Sequence, residues 1–207
     1  RSAMFTLHLT VVLMGATGIF ARIIDLPAWE ITGYRTAIAA LVLFAWVQWR
    51  EGTIRLSSAR AYGRMLVLGL LLGLHWITYF QAMQVSSVAI GMIALFAYPV
   101  MTVFLEPFFT RIRLNWRDLV SGLLVLLGIY LLVPEFDLAN NGTQGVLWGL
   151  LSALLFALRN ILLGHWFSDV SAARSLAYQT AITAVMIAPA LLLVGELPQV
   201  ADIGLVL

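Results

Sequence analysis

The sequence predicts an all-α membrane protein, a polytopic helical bundle in which a five-helix unit repeats in inverted orientation. Three observations carry this. The 207 residues are 62% hydrophobic and only 11% charged, with a mean hydropathy of +0.97, against about 45–50% apolar and about 25% charged in soluble domains. The apolar residues fall in blocks of about 20, the length that spans some 30 Å of hydrocarbon. A short motif of the second block returns in the seventh.

Taken in order, apolar runs between polar, Pro and Gly breaks place spans at 4–24, 28–49, 65–83, 86–109, 118–134, 143–164 and 172–194. The first is too long for a cleaved signal peptide and is flanked by Arg22 and Asp25, so it reads as a retained span. The second starts behind Pro27, and the fourth carries Pro99 near its middle, where a proline frees a backbone carbonyl. An eighth begins at Ile203, after Pro198 and Asp202, and reaches only Leu207, far short of a bilayer.

Charge orients the bundle. Arg1, then Arg50, Arg55, Arg60 and Arg64, then Arg111, Arg113 and Arg117, then Arg174 all lie on alternate connections, nine of the twelve arginines. The opposite connections carry Asp25, Glu135, Asp137, Glu196 and Asp202. Because cytoplasmic loops keep the Arg and Lys excess, the N-terminus is expected inside. Trp29, Trp46, Trp49, Trp116 and Trp166 lie near span ends, where amphipathic rings settle at the interface.

Residue inventory excludes whole classes of chemistry. There is no Lys, hence no phosphate-loop lysine and no Schiff base, so this chain does not drive pumping with ATP by that route. There is no Cys, hence no disulfide, thiolate nucleophile or thiolate metal site. A net charge of +2 gives no reason to expect nucleic acid. His8, His75 and His165 fall at different places along the chain, so no metal site and no cofactor is expected.

The repeat is read from Tyr34-Arg35-Thr36-Ala37-Ile38-Ala39-Ala40 against Tyr178-Gln179-Thr180-Ala181-Ile182-Thr183-Ala184, identical at five of seven positions. Phe20-Ala21 before Arg22 and Phe156-Ala157 before Arg159 supply a second match in chain order. A five-span offset is odd, so the second copy enters the membrane upside down, the arrangement of many alternating-access carriers. Residues 1–134 form the first unit and 143–207 part of the second.

Between Leu74 and Gly128 the chain reads Leu74-His75-Trp76, Tyr79-Phe80, Ser86-Ser87-Val88-Ala89, Tyr98-Pro99-Val100, Leu105-Glu106-Pro107 and Leu127-Gly128. This resembles the EamA-type transporters of the drug/metabolite transporter superfamily, bacterial inner-membrane carriers of ten helices in two inverted halves. Arg35 fits the arginine those proteins tend to carry in the second helix. The glutamate that relatives often place after the fourth helix aligns near Ile112. Ten helices need roughly another 70–90 residues at 1.5 Å per residue, so the expected partners include the missing C-terminal helices of the same protein, besides the bilayer and a small-molecule substrate.

Candidate binding residues come from polar groups inside the spans. Arg35 costs roughly 2.5–3.5 kcal/mol near the bilayer centre and faces either a wet cavity or a structural partner; in a cavity it would anchor an anion bidentately. His75 and Tyr79, one turn apart, either relay protons or bridge helices. Tyr98, Thr102 and Glu106 make a polar stripe beside the Pro99 hinge, Glu106 lying toward the interface. Thr17 with Thr10, and Ser152 with Arg159, share faces in repeat-related spans, while Gln179 is the neutral counterpart of Arg35. Trp76 and its neighbouring aromatics suit flat cargo or simple core packing. Gly69 and Gly73, and Gly145 and Gly149, have the spacing of close helix contacts.

The expectation is a secondary transporter exporting small organic metabolites, amino acids or drug-like compounds by alternating access. The alternatives are a non-transporting accessory subunit or an intramembrane enzyme; for the latter, no Ser-His or paired-Asp constellation stands at helical spacing.

Overall fold

The computed structural model describes residues 26–110, 114–131 and 137–193, with Met4 and His8. The rest of the expected first span, with Thr10, Thr17 and Arg22, and the stretch 203–207 lie outside the described residues. The described part is helical: α1 Ala28–Glu51, α2 Ala59–Val85, α3 Val88–Leu95, α4 Tyr98–Phe109, α5 Trp116–Leu131, α6 Asn141–Trp166 and α7 Ala172–Leu193. Among the described residues, five segments are long and apolar enough to cross a membrane: α1, α2, the pair α3–α4 taken as Val88–Phe109, α6 and α7.

Local chemistry sets the helix ends. Pro27 precedes α1, where a missing N–H costs nothing. Gly52 ends α1 at φ 69°, donating its N–H to the Gln48 carbonyl in the left-handed closure that glycine permits. Ser58 accepts from the Ala61 N–H, Ser87 from Ile90, Asn140 from Gly142 and Ser171 from Arg174, each satisfying an orphan donor of the helix that follows. The Ser58 cap lets α2 begin at Ala59, six residues before its apolar run at Met65.

The fourth span is broken. α3 stops at Leu95, Phe96 and Ala97 form a turn, and Pro99 falls in the first turn of α4. A proline inside a continuous helix would clash with the carbonyl four residues back; a helix restarting at Tyr98 removes that conflict.

α2 packs most extensively against α6, and α1 against α7; α2 also meets α7, α3 and α4 flank α6, and α5 rests on α4. Small residues allow these approaches. A Cβ added to Gly69 would stand 2.6 Å from the Ile182 Cβ, and one on Gly149 2.5 Å from the Ala94 Cβ. Without a hydrophobic force between helices in lipid, such close backbone contacts supply much of the association energy. α1 and α7 run antiparallel, since Gly33 meets Ile187 and Leu191 while Glu51 meets Arg174 at the far end. Arg50, Arg55, Arg60, Arg64, Arg117 and Arg174 thereby gather at one end of the bundle, opposite Pro27, Ser87 and Asn140.

Candidate functional site

The start of α1 behind Pro27 puts Thr32, Arg35, Thr36 and Ala39 on one helical face, toward α2 and α7. They line a cavity of about 170 Å³ with Leu72, Trp76 and Phe80 of α2 and Leu176 and Thr180 of α7. The Arg35 guanidinium carbon stands 5.4 Å from the Trp76 ring centroid and 5.5 Å from that of Phe80, within reach of cation–π attraction. Its Nη1 is buried and has no hydrogen-bond partner among the described residues. The threonines spend their protons on their own helices: Thr32 donates to the Ala28 carbonyl at 2.7 Å, Thr36 to Thr32 at 2.8 Å and Thr180 to Leu176 at 2.9 Å. Each hydroxyl oxygen keeps acceptor capacity. The cavity therefore combines one under-coordinated cation, three acceptor oxygens and an aromatic wall.

A second cluster joins four candidates across helices. His75 and Ser152, 77 residues apart, are both buried and bonded to one another. The His75 Nδ1 lies 2.8 Å from the Ser152 Oγ and 3.1 Å from the Ser152 carbonyl oxygen, and the hydroxyl donates to the His75 carbonyl at 3.0 Å. A carbonyl only accepts, so Nδ1 carries the imidazole proton in this geometry, and the serine proton is committed to backbone. Sequence spacing had no means of pairing these residues, yet the pair joins α2 to α6 and does not aim a base at a nucleophile. The His75 ring stacks on Phe156 at 4.6 Å and faces Tyr79 at 6.1 Å; Phe156 in turn receives the edge of Tyr98 at 4.9 Å. Thr102 bonds within its own helix to the Tyr98 carbonyl, and Glu106 lies in the last turn of α4.

Arg159 forms the third cluster. Its Nε donates to the Gln179 Oε1 at 2.7 Å and its Nη1 to the Asn160 Oδ1 at 2.8 Å. Gln179, fully buried, donates to the Ser175 hydroxyl at 2.8 Å. The repeat counterpart of Arg35 thus serves the other described intramembrane arginine. Neither Ser152 nor Arg159 is among the residues lining the Arg35 cavity.

Several contributors escaped the sequence reading. The sequence offers Thr36 and Thr180 only as matched residues of the repeat and Phe80 only as one of the mid-span aromatics, and it gives no reason to pick Thr32, or Phe156 and Asn160 as partners of His75 and Arg159. The one signal on α1 is spacing: Thr32 stands three residues before Arg35 and Ala39 four after it, with Thr36 four after Thr32. Glu30 is buried at the opposite end of α1 from Glu51, next to a span boundary.

Residues 1–133 match the model of the EamA-like transporter family. The chain is 26% identical over 193 residues to a Bacillus subtilis (strain 168) protein described as uncharacterized transporter YxxF, covering 91% of this chain and 61% of that protein. It therefore spans less than two thirds of that relative's length. A chain from a solved crystal structure is similar with a TM-score of 0.67 at 20% identity, over 100% of this chain and 73% of that one, a likeness that bears on fold alone.

Proposed function

The chain belongs to the EamA-like transporter family, and from that premise we propose that it is a secondary carrier exporting small organic solutes that bear an anionic group, such as metabolites, amino acids or drug-like acids. The observation that carries this reading is the Arg35 cavity. A guanidinium held against two rings with a buried nitrogen unpartnered among the described residues is disposed to take a carboxylate, for which its fork geometry is suited. Thr32, Thr36 and Thr180 would accept from ammonium or hydroxyl groups elsewhere on the cargo, and Trp76 and Phe80 would cover its apolar part. His75, Tyr79, Tyr98 and Ser152 would hold the helices against which the cavity changes shape, with Pro99 at the break of the fourth span as hinge.

On this reading access alternates by rocking two inverted repeats, 1–134 and 143–207, about the antiparallel α1–α7 pair. Thr36 and Thr180, equivalent in the repeat, line one cavity, which supports a pseudo-two-fold axis near it. The Arg-bearing end faces the cytoplasm of a bacterial inner membrane, by the positive-inside rule.

The test is competition in vesicles containing the protein, with labelled amino acids and small organic acids set against their decarboxylated analogues. Arg35→Gln should weaken the carboxylated compounds by about one to two decades, the worth of a charge-assisted hydrogen bond, and leave the decarboxylated ones unchanged. Arg35→Lys should fall between. Equal affinities for both classes, before and after substitution, would defeat the reading.

A further inference from the structure

Where α2 begins and α6 ends, two arginines of one helix stand beside a tryptophan of the other. Arg60 lies in the first turn of α2 and Arg64 one turn further on, at the i, i+4 spacing that shares a face. Arg60 is exposed and Arg64 half-buried. The Arg64 guanidinium carbon stands 5.6 Å from the ring centroid of Trp166, in the last turn of α6. Trp166 is itself packed, with Leu162, Leu163 and Phe167, against the buried cluster of Leu56, Ala61, Met65 and Leu68. The core therefore fixes the ring that meets the arginine. Cation–π attraction holds the guanidinium by its face and leaves the donors at its edge to a ligand.

The helix end adds a second attraction for an anion. The first turn of α2, Ala59-Arg60-Ala61-Tyr62, contains no acid, and a helix N-terminus carries partial positive charge of its own, so Arg60 sits where the dipole repels it. An anion at that place relieves both charges together. Two guanidinium forks one turn apart suit the oxygens of a phosphate better than two ammonium groups would.

What the phosphate is attached to follows from the next turns of α2. Val67, Leu70 and Leu74 continue the arginine face at helical spacing and are exposed. Leu74 lies about 15 Å beyond Arg64 at 1.5 Å per residue, roughly half the hydrocarbon thickness of a bilayer, in a segment long and apolar enough to cross one. A headgroup at the arginines with hydrocarbon along Val67, Leu70 and Leu74 covers both parts of this face, whereas a free phosphate covers only the first. We propose that Arg60, Arg64 and Trp166 form a binding site for the headgroup phosphate of an anionic phospholipid whose acyl chains lie along α2. The bound lipid bridges α2 and α6 at the end of the seam that His75 and Ser152 join deeper in the bundle. The proposal is independent of the cargo reading and of which side of the membrane this end faces.

The test is native mass spectrometry of the purified protein in neutral detergent, titrated with phosphatidylglycerol and, separately, with phosphatidylcholine, reading the affinity for the first bound lipid. The protein should prefer phosphatidylglycerol. Arg64→Gln should lower that preference about fivefold, the contribution of one basic residue near an anionic surface. Trp166→Leu, which keeps every charge, should lower it about twofold by releasing the guanidinium. Arg50→Gln, exposed at the end of α1, measures the unfocused attraction of a basic rim and should change it least. If Arg64→Gln or Trp166→Leu fails to fold, Arg60→Gln, at an exposed position, stands in with a loss of about fivefold. Equal losses in Arg50→Gln and in the Arg60 or Arg64 variant, or an unchanged preference in a folded Trp166→Leu, would overturn the site. So would displacement of phosphatidylglycerol by excess inorganic phosphate, which would assign the arginines to a soluble anion.

Discussion

Arg35 and Arg159 carry the same charge into the apolar part of the bundle and are treated in opposite ways. Arg159 is met by side-chain oxygens, Gln179 at 2.7 Å and Asn160 at 2.8 Å, and Gln179 is itself secured by Ser175. Arg35 is met by the faces of Trp76 and Phe80, and its buried Nη1 finds no acceptor among the described residues. A guanidinium with its donors engaged is a structural tie, because a ligand would have to replace bonds already made. One held by ring faces keeps its place while its in-plane donors stay free, since cation–π attraction acts on the face of the ion and hydrogen bonds act at its edge. The contrast separates a charge whose donors the protein has met from one it has left short of partners.

Three substitutions test that contrast. The largest effect is expected from Gln179→Leu, which removes the acceptor from the buried Arg159 Nε; an orphaned buried donor costs about 1–3 kcal/mol, read as a lower unfolding temperature in detergent. Cargo affinity should stay as it was, and a loss resembling that of Arg35→Gln would show that the two arginines act together. Trp76→Leu comes next. It removes one face from Arg35 and should weaken carboxylate binding about fivefold, equivalent to ~1 kcal/mol of desolvated cation–π attraction, with little change in unfolding; the reverse pattern would make Trp76 a core residue alone. The smallest is Thr180→Val, which should weaken amino-acid binding about threefold through one lost acceptor, near the ~0.6 kcal/mol mean of intramembrane polar contacts, and leave acids without an ammonium group unaffected.

The way the two arginines divide explains what was legible beforehand. Both stood out at once, because Arg in a block of apolar residues departs from what hydrocarbon tolerates. Their roles did not. The partner of Arg159 lies 20 residues away on the next helix, and the partner of His75 lies 77 residues away; neither distance has a spacing rule. The break at Phe96 and Ala97 was half legible, since Pro99 announces a disruption near mid-span but the helix yields two residues earlier, where the chain can restart with proline in a first turn.

Read alone, the sequence establishes a bundle of membrane-length helices, the end at which its arginines collect, and the family to which its motifs belong. Each of these follows from a property that acts residue by residue along the chain: the cost of a polar group in lipid, the length needed to cross it, the preference of charge for one side. Tertiary structure alone decides which faces meet. Gly69 against Ile182, the Thr183 hydroxyl on the Gly69 carbonyl at 2.9 Å and Gly149 against Ala94 set the rotation and height of α2, α6 and α7. That rotation brings Thr180 to the cavity of Arg35, gives Gln179 to Arg159 and closes Ser152 on His75. It is a sum over many small contacts of comparable strength, and helical periodicity within any one segment carries no record of it.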